Sequence, residues 1–294
     1  MNENLKRAGL FTGITFLLSW LLVALFLLSG GRWNTPEAYI VAVAFMFVPM
    51  IVALVLQGVV YKEPLKEPLG ISFRLNWWFL VAWLLPPVIA LATIGVSLLF
   101  PGVDYSPDMA GFFEKFSLVY PPEQIEQMKA QAKTLPVHPF WLGLLQGLVA
   151  GITVNAVAGF GEELGWRGFL QKELGYLGFW KSSAVIGLIW GIWHTPFIFQ
   201  GHNYPQHPKL GVLMMIIWCL LLAPIFSYIR LKSNSVIAAA ILHGSLNATA
   251  GLALMVVEGG SDLTVGVTGL AGFLVLFLLN LLLAGYAHFR IRRA

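Results

Sequence analysis

Charge is scarce in this sequence. Only 11% of its 294 residues are Asp, Glu, Lys or Arg, and 58% are hydrophobic. A soluble domain carries about 25% charged residues. The mean hydropathy of +0.77 excludes an ordinary soluble enzyme and points to an integral, multi-pass membrane protein, of the plasma membrane in a prokaryote. Cysteine is almost absent. Cys219 stands alone, which rules out an intrachain disulfide and a cysteine metal cluster. It lies in an apolar run, where cysteine behaves as a small hydrophobe rather than a nucleophile. The net charge of +4 is small and scattered, so nothing invites nucleic acid. There is no internal repeat, no low-complexity tail and no His-Glu-x-x-His zinc motif.

What is present is a series of apolar runs, at roughly 8–30, 37–60, 77–100, 140–172, 182–201, 210–230, 235–256 and 266–288. Each approaches or exceeds the roughly 20 residues that cross a bilayer as a helix. They lack the alternation of barrel strands. The expected fold is all-α, a polytopic bundle of about eight transmembrane helices. The first run exceeds a signal h-region of about 7–15 residues and has no small-x-small cleavage site, so it is expected to be a retained span.

Loop charges set the expected orientation. With a cytoplasmic N-terminus, that side carries Lys6, Arg7, Lys62, Lys66, Arg74, Arg167, Lys172, Lys181, Arg230, Lys232, Arg290, Arg292 and Arg293, and the outer side only Arg32, Lys115, Lys129, Lys133 and Lys209. The positive-inside rule then places both termini in the cytoplasm. The long segment 101–139 is expected at the outer surface as one or two short helices. The 1–294 chain is read as one membrane domain: three spans and that loop over 1–139, a functional core over 140–256, and a final span with a basic tail over 257–294.

Three polar clusters interrupt the apolar runs: Glu162-Glu163 with Arg167, His194 behind Trp190 and Trp193, and His243 with Asn247. Ionisable groups are costly in a bilayer and mark interiors or wet cavities. At ~1.5 Å rise per residue, Glu162, His194 and His243 lie ~15, ~20 and ~14 Å from the cytoplasmic ends of their helices, so the three clusters are expected at one depth. Small residues around them (Gly159, Gly161, Gly165, Gly168, Gly187, Gly191, Ala238 to Ala240 and Gly244) would let these helices approach closely, although ordinary helix packing needs no more than that. Glu163 and Arg167, at i and i+4, can pair on one face. Glu162 points about 100° away and is free to take a proton. Asn155, two turns earlier, is a weaker candidate for lining the cavity. A carboxylate beside an imidazole can activate water, and His243 with Asn247 can donate to an oxyanion. The same residues offer a second scheme, in which Glu162, His194 and His243 hold a zinc ion with an open water position. The sequence leaves both open, and with them whether any cofactor is used.

These residues resemble the motifs of the CPBP family of intramembrane proteases, which includes the type II CAAX prenyl endopeptidases and the Abi-type, bacteriocin-processing proteins. The family pattern is Glu-Glu-x-x-x-Arg, then aromatic-x-x-x-His, then His-x-x-x-Asn or Asp. Here it reads Glu162-Glu163-Leu-Gly-Trp-Arg167, Trp190-Gly-Ile-Trp-His194 and His243-Gly-Ser-Leu-Asn247. The resemblance covers residues from about 145 to 250. Trp190 stands where many members have phenylalanine. The resemblance implies Glu162 and His194 as the water-activating pair, His243 and Asn247 as oxyanion donors, and Glu163 and Arg167 as supporting residues. It implies a peptide or lipidated-protein substrate, cleaved within the bilayer from a cavity reached from the cytoplasmic side or from lipid. Two other functions fit the polar midplane: a proton-coupled transporter, against which stands the absence of repeats and broken helices, and a non-catalytic immunity-type protein of the same fold. His138, His202 and His207 are expected to be solvated, and His288 to lie at the membrane interface.

Overall fold

The computed structural model describes residues 2–33, 35–118 and 120–291, with side chains up to residue 286. The basic tail residues Arg292 and Arg293, and the side chains of His288 and Arg290, lie outside what is described. The helices begin where the sequence supplies a cap. Asn2 accepts from the Asn4 amide to open α1 (Glu3–Leu28), and Thr35 with Pro36 opens α2 (Pro36–Leu54). Asn76 opens α3 (Trp77–Ser97). Such side-chain acceptors satisfy amides that the first turn leaves unpaired. A π-helical turn, Val55–Val60, extends α2.

Beyond α3 the chain forms β1 (Val103–Tyr105), α4 (Ala110–Ser117) and α5 (Pro122–Thr134). The two helices are those expected in 101–139, and α5 starts with proline and an acid in its first turn. The strand was not expected. It pairs antiparallel with β2 (Val257–Gly259), Asp104 opposite Glu258. Three-residue pairings between distant segments leave no periodic trace in a sequence.

Two of the three apolar runs that carry the polar clusters are not continuous helices. The run 140–172 is divided into α6 (Pro139–Ile152), α7 (Val154–Glu163), a π-helical stretch Leu164–Leu170 and a short α8 (Gln171–Leu174). Thr153 breaks it with φ −119° and ψ −106°, and its hydroxyl bonds back to the Val149 carbonyl at 2.8 Å, a competitor of the helix ladder. The run 182–201 becomes α9 (Phe179–Trp193), which ends at His194 before α10 (Thr195–Ile198). Then follow α11 (Pro208–Ser233), α12 (Val236–Thr249), α13 (Leu252–Met255) and α14 (Leu270–Ile291).

Among the described residues, five helices are long and apolar enough to cross a membrane, or six if α5 and α6, bent by 95°, count as one span; 270–286 is a shorter apolar helix. The protein is a polytopic helical membrane protein. Large apolar side chains such as Leu17 (66% exposed) and Val59 (68%) face outward from these helices, as lipid contact requires.

Direct contacts define two faces. On the first, Arg7 meets Glu63 at 2.6 Å, Lys172 meets Glu63 at 3.3 Å, and Asn76 donates to the Ser233 carbonyl. On the second, Tyr204 donates to the Thr268 carbonyl, Lys115 to that of Gly259, and the Gln206 amide to Asp262. At the centre, α12 packs on α3, α6, α7 and α11. Glycine makes this possible: a Cβ at Gly244 would lie 2.5 Å from the Ala156 nitrogen and the Gly151 oxygen.

Candidate active site

The close approach of α7 to α12 sets the site. At Gly159 a Cβ would lie 3.0 Å from that of His243, so the two helices touch beside the first and third polar clusters. Glu162, Glu163, Arg167 and His243 are all buried. Glu163 Oε1 lies 2.8 Å from His243 Nδ1, and Arg167 Nη1 lies 3.1 Å from the same carboxylate. Glu163 therefore joins both clusters. The spacing of the sequence anticipates its pairing with Arg167 but not its bond to His243.

Glu162 turns the other way, as 100° per residue demands. Its Oε2 accepts from Trp190 Nε1 at 2.8 Å and from Trp166 Nε1 at 3.4 Å. Its Oε1 faces His243 Nε2 at 3.8 Å. Arg167 is stacked between rings, 4.4 Å from that of Trp190 and 4.7 Å from that of Phe226. The motif reading gives neither tryptophan a polar role. A signal was present: a buried indole N–H needs an acceptor, and in an apolar bundle a carboxylate is among the few on offer.

His194 is half-buried at the break after α9. Its Nδ1 lies 2.8 Å from the Trp190 carbonyl. A carbonyl only accepts, so Nδ1 carries the proton and Nε2 of the neutral ring keeps its lone pair. Trp190 and Trp193 pack against the imidazole at 5.8 and 5.0 Å between ring centres. No hydrogen bond or ion pair joins His194 to Glu162 among the described residues. The two share a cavity of about 410 Å³, which Asn155, His243 and Asn247 also line. Asn247, one turn beyond His243, is exposed to that space.

Three expectations fail here. The zinc set does not assemble: no three His, Cys, Asp or Glu among the described residues stand where they could hold a metal. Glu162 Oε2 is taken by the Trp190 indole and His243 Nδ1 by Glu163. Of the two expected routes, cytoplasmic side or lipid, the one from the face that carries the N-terminus is closed. The cavity reaches Tyr39, His202, Asn203 and Thr268, all on the second face, while Trp166, Phe169 and Leu170 close it beneath Glu162 at 0% exposure. The helices around the site are broken, contrary to the continuity used against a transporter. Outer histidines also have partners. His207 Nδ1 lies 2.6 Å from Asp262, His138 caps α6 by accepting from the Phe140 amide, and His202 stands at the cavity rim beside Trp33. Cys219 is buried and free.

Residues 139–249 match the family model described as type II CAAX prenyl endopeptidase, Rce1-like. This stretch is similar to the Rce1-like domain of that family. The family is one of hydrolases, and the matched stretch holds every residue of the polar clusters. One relative, CAAX prenyl protease 2 of Methanococcus maripaludis, is 31% identical over 96 residues. That likeness spans 29% of this chain and 34% of the relative, so the chain matches about a third of the relative's length.

Proposed function

We propose that the chain is an intramembrane endopeptidase in which Glu162 and His194 activate a water held in the cavity. The observation that carries this is the junction of Glu162, Glu163, Arg167 and His243 at the floor of a space large enough for an extended peptide. The water donates one hydrogen to Glu162 and the other to the free Nε2 of His194. Its oxygen adds to the scissile carbonyl carbon as Glu162 takes its proton. The oxyanion is met by the Asn247 amide and by His243 Nε2–H, donors of the kind that contribute about 2.7–4 kcal/mol each in other hydrolases. Collapse breaks the C–N bond, and the proton on Glu162 passes to the departing nitrogen. One water and one peptide bond become one carboxylic acid and one amine. Glu163 and Arg167 are positioning residues, since they act through His243 and the helix pair. The geometry does not fit a metal, and no step uses one.

The bundle is read as crossing the membrane eight times, with α6–α7, α9 and α14 completing the set begun by the five long helices. Alternate helix ends meet on the two faces, which supports this count. The relative's name makes a prenylated C-terminal peptide one substrate to test. The transporter reading regains weight from the breaks at Thr153 and His194, but the polar residues gather at a dead end rather than along a path between the faces. Glu162→Gln separates the readings. Cleavage of a prenylated or apolar reporter peptide by purified protein should vanish while the protein remains folded, and turnover at the unsubstituted rate would sink the mechanism.

A further inference from the structure

The bundle carries another groove, away from the candidate active site. It has a volume of about 120 Å³ and lies between α3, α11 and α14, walled by Val81, Leu85, Ile225, Ile229, Leu279 and Leu283. Asn280 donates to the Leu221 carbonyl at 2.8 Å and ties α14 to α11 beside it. Trp78, in the first turn of α3, and Tyr228 complete the lining, with their rings edge to face at 5.3 Å. The setting decides what kind of molecule fits. α3 and α11 are membrane-length helices and α14 is apolar. An aliphatic groove offers water no polar partners, and what surrounds such helices is acyl chain.

The mouth of the groove has a different chemistry. Lys232 stands in the last turn of α11, and the three- and four-residue spacings from Ile225, Tyr228 and Ile229 put it on their side of the helix. Its ammonium is half-buried, 5.5 Å from the centre of the Tyr228 ring. It forms no ion pair and no hydrogen bond among the described residues, and the Trp78 indole N–H forms no hydrogen bond among them either. The start of α3 meets the end of α11 here, because Asn76, the cap of α3, donates to the Ser233 carbonyl at 2.9 Å. The positive end of the α3 dipole therefore adds to the same sign of charge. Arg230 faces elsewhere, packed on the turn at Gly70.

We propose that this groove binds an anionic phospholipid from the leaflet at the first face. One acyl chain lies along Leu85, Ile225 and Leu279, and the phosphate meets the Lys232 ammonium and the Trp78 N–H. A lysine in the last turn also suits the negative end of α11 without any ligand; the aliphatic groove on the same side of the helix is what calls for a lipid. Phe226, next to Ile225, turns to the other side of α11, where its ring lies 4.7 Å from the Arg167 guanidinium and 5.8 Å from the His243 ring. A seated lipid thus braces α11 behind the candidate active site. The lipid site stands whether or not the chain is an endopeptidase.

Native mass spectrometry of the full chain in detergent tests this, with phosphatidylglycerol and phosphatidylcholine of the same acyl chains as probes. Phosphatidylglycerol should bind as one saturable equivalent, about fivefold more tightly than phosphatidylcholine, the effect of one basic residue near a headgroup. Lys232→Gln should remove that preference, and Lys181→Gln, at an exposed basic position, should keep it. Val81→Phe and Leu283→Phe, which fill the groove from two helices, should weaken both lipids. Thermal unfolding shows which variants remain folded, and phosphatidylglycerol should raise Tm more in the unsubstituted protein than in Lys232→Gln. Lys232 is outside the core, so its variant decides the question even where both fillers unfold. Equal affinity for the two lipids, a preference that survives Lys232→Gln, or undiminished binding by a folded filler overturns the proposal. Displacement of the lipid by inorganic phosphate at equal concentration also overturns it, since a free anion needs no groove.

Discussion

Removing the charge of Glu163 isolates the contact on which the site is built. Glu163 and Arg167 have side chains at 0% exposure and lie 3.1 Å apart, and Arg167 Nε and Nη2 have no hydrogen-bond partner among the described residues. Glu163→Gln keeps the shape and leaves the guanidinium buried without a counter-charge. Breaking a buried pair from one side costs about 3–5 kcal/mol, because the survivor stays desolvated. Arg167→Met strands the carboxylate instead. That carboxylate retains His243 at 2.8 Å, so the loss falls at the low end, about 3 kcal/mol. The double variant has no stranded ion, and its loss should fall below the sum of the single losses by at least about 2 kcal/mol, within the range of coupling between residues in contact. Unfolding in mixed micelles, followed by tryptophan fluorescence, gives all three values. Additivity within about 0.5 kcal/mol would refute the claim that the two charges hold each other in place.

Three further perturbations have outcomes set by the geometry. Trp190→Phe removes the indole donor 2.8 Å from Glu162 and keeps a ring beside Arg167; a hydrogen bond to a charged group contributes about 1.5–3 kcal/mol, so kcat/KM should fall by about tenfold or more, and an unchanged value would show that Trp190 only packs. Gly244→Ala drives a Cβ to 2.5 Å from backbone on α6 and α7, whereas Gly95 on α3 has nothing within 4 Å; overpacking costs about 1–3 kcal/mol, so the first variant should lower Tm and Gly95→Ala should not, and equal Tm values would contradict the close approach. The Arg7 hydrogen bond, with Lys172 nearby, holds the Glu63 carboxyl below its ordinary value of 4.5. Its contribution is therefore complete above that value and is lost as pH falls through the lowered folded one. It is modest, because the group is 35% exposed and screened. Glu63→Gln should flatten the acid limb of a Tm-against-pH curve, and superimposable limbs would count against the clamp.

The cluster residues were legible because each is expensive where it sits. A carboxylate pair, an arginine and two histidines in apolar runs have few explanations, and the ~1.5 Å helix rise brings them to one depth. The spacing of Glu163 and Arg167 gave their pairing outright. Spacing on one helix could not give the Glu163–His243 bond, which depends on how α7 and α12 rotate against each other. That rotation follows from Gly159 and Gly244, whose missing side chains let backbone meet backbone. The breaks at Thr153 and His194 were illegible for another reason. An apolar run reads the same whether its helix is whole or interrupted, and only Thr153 carries a local competitor for the ladder. The closure of the cavity towards the N-terminal face was not legible, because the residues that seal the floor, Trp166, Phe169 and Leu170, belong to the same run as the cluster. Hydropathy does not distinguish a plug from a wall.

The charge balance of the floor explains why so polar a set is tolerated at mid-bundle and how it could support hydrolysis. Two carboxylates face one guanidinium and one imidazole. A single proton shared between Glu162 and His243, 3.8 Å apart, makes the set neutral wherever that proton resides. With the proton on His243, both carboxylates are ionised and balanced by two cations. With it on Glu162, the imidazole is neutral and Glu163 balances Arg167. In the proposed reaction, ionised Glu162 takes a proton from water while His243 stays protonated. The positive charge gained by the set is matched by the oxyanion formed beside His243 Nε2–H. The floor and the intermediate together remain neutral, and no step leaves an ion unpaired in a medium where that costs several kcal/mol. A transporter would instead have to let the shared proton leave the set towards the first face, and there the buried run from Leu164 to Leu170 stands in its way.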